Sequence, residues 1–228
     1  LNKRNQDRFS VEDEKYMKVF GLVFSSVFHN YNPISETSLI RRFSTPMDRE
    51  YALIGNSQIV KELRSTIIKL KDLDSPVLIQ GETGVGKALY AKILHYEGSR
   101  GLSPYEVVAC AGRDQEQLLA EIFGDISQAS KLEVCKGGSL LIRDIHLLPL
   151  ALQEKLATVM KRRRLSEESK ISLDVRVMAT SEHDLSKLVD KNLFNRDLYD
   201  QISVSVVSVA PLRKRQDDLN ILVSYFLR

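Results

Sequence analysis

The sequence predicts a three-layer α/β fold, in which helices cover both faces of a parallel sheet, preceded by an amphipathic helix. Three observations predict it. Short apolar segments alternate with helical segments of about ten residues. A glycine-rich motif ending in lysine follows the first of these strands, and a charged pair ends a later, buried strand. Ligands of open parallel sheets bind at the carboxyl ends of the strands, so both features belong to the same functional edge.

Composition and charge are those of a globular chain. The 228 residues are 43% hydrophobic and 28% charged, which is enough apolar material for a core. The net charge of +3 is too small to indicate nucleic-acid binding by itself. The two cysteines, Cys110 and Cys135, are expected to be reduced thiols. No apolar run is long enough for a bilayer and no signal peptide opens the chain, so we expect a cytoplasmic protein without a membrane partner.

Residues 1–32 are predicted to form an amphipathic helix with Ser10 as a candidate N-cap. Its apolar side chains recur at helical spacing; they are Tyr16, Phe20, Val23, Phe24, Val27 and Phe28. One interpretation is packing of this stripe on the neighbouring fold or on a partner helix. The other is that the helix closes an upstream sensory domain, since it resembles the last helix of a GAF domain. The polar residues 33–50 are predicted to be a linker to a core domain at 51–228.

Within the core domain, hydrophobic periodicity predicts helices and strands in alternation. The predicted helices are 57–70, 87–96, 114–123, 149–160 and 184–194. The predicted strands are 76–80, 105–111, 139–143, 172–180 and 203–209. Helical crossovers between successive strands require parallel pairing.

The strongest motif is the segment GETGVGK at 81–87, which has the form G-x-x-x-x-G-K. Its glycines let backbone N–H groups turn inward around phosphate oxygens, and the N-terminus of the following helix adds a favourable field. Lys87 supplies a point charge for the terminal phosphates. The next residue is Ala88, so the loop offers no hydroxyl to magnesium. We predict a nucleotide-phosphate site, and the alternative is a glycine-rich turn with a surface lysine.

The strand at 139–143 ends in Arg143, followed by Asp144. In a nucleotide-hydrolysing α/β protein this position normally carries an acidic residue that holds magnesium. Arg143 would repel the metal and can itself bind a phosphate; the alternative is a surface arginine without a ligand. Asp144 is one methylene shorter than glutamate, which limits its reach to an attacking water.

Residues 53–228 contain, in this order, the segments LIGNSQIVKEL, GETGVGK, AEIFGD, GGSLLIRDIHLLPLALQEKL, DVRVMAT, LFNRDLYDQI and PLRKRQDDL. Together these segments resemble the AAA+ domain of bacterial enhancer-binding proteins, the sigma-54-dependent transcriptional activators. The resemblance implies a P-loop NTPase core that binds ATP or ADP. The family's helical lid and DNA-binding domain would lie beyond Arg228, so the chain is expected to be a fragment. The nucleotide-binding residues that we predict are Ile54, Gly55, Gly81, Glu82, Thr83, Gly84, Val85, Gly86, Lys87, Ala88, Arg143 and Thr180.

Compared with this family, the chain departs at the residues that hold metal and sense phosphate. The acidic pair of the family falls on Arg143 and Asp144. Ala109 replaces an asparagine that restrains the catalytic glutamate. At the next strand end Thr180 is kept, but Ser181 replaces the asparagine that senses the terminal phosphate. We therefore predict no metal ligands, do not expect magnesium to be held well, and retain Asp144 as the one candidate catalytic residue.

The family's arginine fingers and its sigma-factor loop are also missing. Asn195 and Gln201 stand at the two finger positions, and a finger is worth a factor of roughly 10³–10⁵ in rate. The family contacts its sigma factor through a Gly-Ala-Phe-Thr-Gly-Ala loop, which the segment 123–138 lacks. Efficient hydrolysis and contact with RNA polymerase or a sigma factor are therefore not expected.

Other charged and titratable side chains have weaker patterns. The basic run 161–164 is interpreted as a solvated helix end, with a phosphate- or nucleic-acid-contacting patch as the alternative. His95, His146 and His183 have no metal-ligand spacing and are expected at the surface or the sheet edge.

Three functional hypotheses follow from these features. The first is a regulatory AAA+ domain without motor activity, which binds nucleotide and mediates self-association in a transcriptional regulator; DNA contact would come from a domain outside this chain. The second is a working ATPase of the enhancer-binding type that uses Asp144 and Lys87. The third is a sensor of a signalling nucleotide whose phosphates would contact Arg143 and the basic run 161–164.

Overall fold

The computed structural model describes residues 53–126, 128–165 and 172–227. The chain divides into two units, Leu1–Arg42 and Phe43–Arg228, and every described residue lies in the second. The predicted amphipathic helix and linker lie outside the described residues. Within the described ranges, no helix has both the length and the apolar character needed to cross a membrane.

Helices and strands alternate through the described residues, as predicted. The strands are β1 (Val77–Gln80), β2 (Tyr105–Ala109), β3 (Ser139–Arg143), β4 (Arg176–Ser181) and β5 (Ser205–Ser208). The helices are α1 (Gln58–Leu70), α2 (Lys87–Tyr96), α3 (Gln115–Phe123), α4 (Lys131–Val134), α5 (Leu150–Arg162), α6 (Leu185–Asp190), α7 (Arg196–Ile202) and α8 (Leu219–Phe226).

The strands of the described residues form one five-stranded sheet in the order β2-β3-β4-β1-β5, and every neighbouring pair is parallel. Alternate side chains enter two separate apolar clusters. Leu140 and Ile142 of β3 belong to one cluster, and Leu141 belongs to the other. The same alternation holds in β1, where Leu78 and Ile79 pack in opposite clusters. Both faces of the sheet are therefore buried, which confirms the three-layer α/β fold.

Strand β4 begins at Arg176, later than the predicted start at 172. The backbone N–H of Arg176 pairs with the Gly138 carbonyl, and its side chain is 1% exposed. The guanidinium donates to the carbonyls of Leu70 (2.7 Å), Lys71 (3.0 Å) and Ser75 (3.3 Å). These carbonyls include those left without a helical partner at the C-terminal end of α1. Burial lowers the pKa of Arg176, with a further contribution from the charge of Arg100.

A buried carboxylate joins the start of the described chain to its end. Asp218, 0% exposed, accepts hydrogen bonds from the backbone N–H groups of Asn56 (2.6 Å) and Ser57 (2.7 Å) and from the Ser57 hydroxyl (2.6 Å). Ser57 is in turn the N-cap of α1. Gly55 has φ 140°, and a Cβ at this position would lie 2.6 Å from the Asp218 carboxyl carbon. The position therefore requires glycine.

Candidate nucleotide site

The phosphate loop lies between the end of β1 and the start of α2, as predicted. The Gly81 N–H donates to the Ser181 carbonyl (3.1 Å), and the Val209 N–H donates to the Gln80 carbonyl (2.8 Å), so the loop starts between the ends of β4 and β5. Gly86 occupies the N-cap position of α2 with φ 100°. A left-handed glycine cap has no side chain to accept the first N–H groups of the helix, which remain available to an anion.

Lys87 lies over this loop and is 8% exposed. Its ammonium donates to the carbonyl oxygens of Gly81 (2.7 Å) and Glu82 (2.9 Å). Val85 and Ala88 are partly buried and pack against the apolar cluster on the α2 face of the sheet. The glycines, the helix N-terminus and Lys87 together fit the phosphates of a nucleotide.

Two other side chains of the loop contact distant parts of the chain. The Glu82 carboxylate pairs with the Arg213 guanidinium through two hydrogen bonds, one of them 2.6 Å long. The hydrogen bond from Arg213 holds the pKa of Glu82 below its ordinary value. The Thr83 hydroxyl donates to the Glu182 carboxylate. Neither Arg213 nor Glu182 was predicted as a site residue.

The end of β3 has a fixed backbone and a positive side chain. Arg143 is exposed, and its carbonyl accepts the Cys110 N–H (3.1 Å). Asp144 follows in the left-handed conformation, with φ 56° and ψ 47°, and its N–H donates to the Thr180 hydroxyl (3.0 Å). Thr180 is only 2% exposed. The Thr180 hydroxyl thus holds the end of β3, and its predicted contact with a nucleotide stays a prediction.

His146, Glu182 and His183 meet at the same edge of the sheet. Glu182 Oε1 lies 3.6 Å from Nε2 of His146 and 3.6 Å from Nε2 of His183. The His146 side chain is 4% exposed, and that of His183 is 58% exposed. Burial and the neighbouring His183 lower the pKa of His146. The hydrogen bond from Thr83 lowers the pKa of Glu182.

The structure corrects the expectation for His95. Its side chain was expected at the surface or the sheet edge, but the residue is 1% exposed. The ring lies 2.9 Å from the Ser139 hydroxyl and 3.1 Å from the Ser103 carbonyl. His95 is therefore a hydrogen-bonded core residue. His146 lies at the sheet edge although its side chain is largely buried, and His183 is exposed, so both agree with the expectation of a surface or edge position.

The two residues at the predicted arginine-finger positions form structural bonds within the chain. Asn195 is the N-cap of α7, where its side-chain oxygen accepts the Leu198 N–H (2.8 Å). The amide group of Gln201 donates to the Ala157 carbonyl on α5 (3.0 Å). Both uncharged side chains thus form hydrogen bonds within their own chain, whereas an arginine finger would reach a neighbouring subunit.

The residues around the loop do not fit a magnesium ion bound to the phosphates. Magnesium is held in such sites by carboxylates and a hydroxyl. Ala88 has no hydroxyl, and Arg143 brings a positive charge to the end of β3. Of the nearby carboxylates, Glu82 is paired with Arg213, Glu182 accepts from Thr83, and Asp144 directly follows the positive Arg143. The basic run 161–164 ends α5, away from the residues that form these contacts, and residues 166–171 after it lie outside the described chain.

Comparison with known proteins places this geometry in a family. The sigma-54 interaction domain matches residues 53–208, more than half of the chain. The anaerobic nitric oxide reductase transcription regulator NorR of Escherichia coli O9:H4 is 29% identical over 99% of this chain and 48% of its own length. The chain thus spans about half the length of the curated relatives that it matches.

Solved structures agree with this match. NtrX from Brucella abortus in complex with ADP has a TM-score of 0.73 and 25% identity, covering 96% of this chain and 49% of NtrX. The same protein in complex with ATP gives a TM-score of 0.72 and 26% identity, covering 97% of this chain and 50% of NtrX. The P-loop NTPase domain of an E. coli sigma-54 activator shares the fold, with a TM-score of 0.52 and 19% identity over 70% of this chain and 99% of that domain.

Proposed function

The chain belongs to the family of sigma-54 interaction domains, and we propose that it binds ATP or ADP and mediates self-association without efficient ATP hydrolysis. It is the AAA+ domain of a transcriptional regulator of the sigma-54 activator type. Its role in that regulator would be to hold a nucleotide and assemble, while the steps that depend on hydrolysis are lost or slow.

The observation that carries this proposal is the position of Arg143. It ends β3, where hydrolysis would require an acidic metal ligand. Two unit charges about 4 Å apart near a protein surface interact by roughly 4 kcal/mol, and a divalent ion doubles that repulsion. A guanidinium also binds phosphate oxygens well. Arg143 therefore favours a bound phosphate without magnesium over a metal-assisted displacement.

The uncharged residues at the two arginine-finger positions also support inefficient ATP hydrolysis. An arginine finger stabilises negative charge on the transferring phosphoryl group. The uncharged side chains of Asn195 and Gln201 cannot supply it, and both are occupied by hydrogen bonds within the chain. A neighbouring subunit that presented these same residues would therefore contribute little to catalysis.

The chain retains the residues and backbone groups that bind phosphate. Lys87, the glycine loop and the N-terminus of α2 need no metal to attract phosphate oxygens. The NtrX structures, one with ADP and one with ATP, support nucleotide binding at the corresponding fold. Large apolar side chains that remain more than half exposed support self-association; they include Leu193, Val204 and Phe226.

The remaining partners are proposals drawn from the relatives. NorR is described as a transcription regulator and is about twice as long as the matched region. We propose that DNA is contacted by a domain outside these 228 residues, and that the regulator acts in the cytoplasm without a membrane partner. A contact with RNA polymerase or sigma factor is not proposed through 123–138, because the usual contact loop is missing there.

Calorimetry with and without magnesium tests the proposal. ATP or ADP should bind the 228-residue chain equally in the presence and absence of magnesium, and Lys87→Ala should abolish binding. The exposed Lys61→Ala is the matched control and should bind normally. Arg143→Asp should make binding dependent on magnesium.

A strict magnesium requirement in the unsubstituted chain would contradict the proposal. Tighter binding of a cyclic dinucleotide than of ATP would favour the signalling-nucleotide sensor instead.

A further inference from the structure

We propose that His146, Glu182 and His183 form a binding site for a divalent transition-metal ion of the zinc class. The three residues follow the ends of two neighbouring parallel strands. His146 lies in the 3₁₀ turn after β3, and Glu182 and His183 directly follow β4. The carboxyl ends of both strands bring them to one edge of the sheet. Their sequence positions are not those of a local metal motif.

The distances between the ligand atoms are close to those of a metal site. One ligand atom from each residue lies within 4.8 Å of the others, and Glu182 Oε1 is 3.6 Å from each imidazole Nε2. Zinc binds nitrogen and carboxylate oxygen at about 2.0–2.2 Å, which separates tetrahedral ligands by about 3.4 Å. The two carboxylate–imidazole distances are thus close to those between ligands of a tetrahedral zinc ion. The exposed side chain of His183 can move to shorten its distance to the His146 ligand atom, which is at most 4.8 Å, to about 3.4 Å.

Hydrogen bonds outside the cluster orient two of the three ligands. The Thr83 hydroxyl donates to Oε2 of Glu182, which leaves Oε1 facing the two rings. The Ser181 hydroxyl lies 3.4 Å from Nδ1 of His146, which leaves Nε2 facing Glu182. Ser181 also accepts the His183 N–H and donates to its carbonyl, fixing the turn. Such outer contacts characterise metal-binding histidines and carboxylates.

The ligand types select the metal. Two imidazoles and one carboxylate are ligands of zinc and similar ions, whereas magnesium prefers oxygen alone. Three protein ligands leave a coordination position open for water or another oxygen ligand. The two cysteines do not compete, since both are buried and burial raises the pKa of each thiol to about 12.

The same three side chains could instead form a metal-free network of hydrogen bonds and ion pairs. A zinc titration separates the two. The 228-residue chain is freed of metal, and zinc is titrated in competition with a coloured chelator in excess magnesium and without nucleotide. Because nucleotide is absent, the result is independent of the proposed nucleotide function.

We expect one zinc ion per chain and, with cobalt as a substitute, visible absorption typical of a nitrogen–oxygen site. His183→Ala and Glu182→Gln should each lose the site, and Thr83→Val should weaken it by about 10–100-fold. Glu97→Gln removes an exposed carboxylate at the opposite, C-terminal end of α2 and should bind zinc normally. Circular dichroism checks that each variant is folded.

Two outcomes would overturn the proposal. One is the failure of the unsubstituted chain to take up one equivalent of zinc. The other is equal zinc uptake by the unsubstituted chain and by folded His183→Ala, which would place the bound metal elsewhere.

Discussion

The backbone N–H of Asp144 donates a 3.0 Å hydrogen bond to the Thr180 hydroxyl, which joins the end of β3 to β4. This bond holds Asp144 in the left-handed conformation, an unfavourable region for a residue with a side chain. The edge of the sheet at which a nucleotide would bind therefore has a defined backbone even though Arg143 replaces the acidic residue beside it. The chain has the fold of a P-loop NTPase, and we propose that the side chains at this edge favour nucleotide binding without efficient hydrolysis.

Thr180→Val should lower the free energy of unfolding by about 1–2 kcal/mol, because it keeps the shape of the side chain but leaves the Asp144 N–H without its acceptor. Urea unfolding measures the change. Thr66→Val is the matched control, since its hydroxyl bonds only to the Glu62 carbonyl within α1, and should change stability by less than about 0.5 kcal/mol. Equal effects of the two substitutions would contradict a special role for Thr180.

Asp218→Ala should destabilise the chain by about 2–4 kcal/mol, since two backbone N–H groups and the Ser57 hydroxyl lose a charged acceptor. Asp217→Ala removes the neighbouring exposed carboxylate and should have an effect within about 0.5 kcal/mol. Urea unfolding of both variants gives the comparison. A small loss for Asp218→Ala would show that these hydrogen bonds are replaced by water.

The contribution of Asp218 should depend on pH. Burial would raise the pKa of its carboxyl, but hydrogen bonds from Ser57 and Asn56 and the charge of Arg215 lower it below the ordinary value of 3.8. A carboxylate with a lowered pKa in the folded state stabilises the fold above the pKa of the unfolded chain. That stabilisation is lost as pH falls through the folded pKa.

The difference in unfolding free energy between the unsubstituted chain and Asp218→Asn should therefore be constant near neutral pH and shrink below about pH 4. Urea unfolding as a function of pH measures it. A difference that grows on acidification would mean that the pKa of Asp218 is raised in the fold.

Asn195→Ala should cost about 1 kcal/mol of stability through loss of the α7 N-cap, whereas Asn195→Asp should retain most of it. Thermal unfolding distinguishes the two. Asn195→Arg should show the same loss without a gain in ATP hydrolysis, because Arg143 still occupies the position of the metal ligand. Restored hydrolysis in Asn195→Arg would mean that the missing finger alone limits turnover.

Local sequence patterns correctly predicted the helices and strands whose ends are marked by glycine. The helix predicted at 87–96 is observed as Lys87–Tyr96, and the strand predicted at 139–143 is observed as Ser139–Arg143. Gly86 caps the first, and two glycines precede the second, so the ends follow from backbone chemistry that is readable in the sequence.

Contacts between distant segments could not be predicted in this way. The strand order depends on which crossovers are adjacent, and β4 starts late because its pairing with β3 begins at Arg176, opposite Ser139. His95 looked like a helix surface residue, yet Ser139, 44 positions away, supplies its partner. The sequence did contain an indication that Glu182 is a site residue. Glu182 is a charged residue directly after a buried strand, at the edge of the sheet where ligands bind.

The central claim is that Arg143, at the end of β3, takes the place of an acidic metal ligand and so prevents efficient ATP hydrolysis. Phosphate release from ATP tests this claim most directly. The assay uses the 228-residue chain with magnesium, at concentrations high enough for self-association. We predict no release above the background of Lys87→Ala. Release that exceeds this background and is abolished by Asp144→Asn would contradict the account.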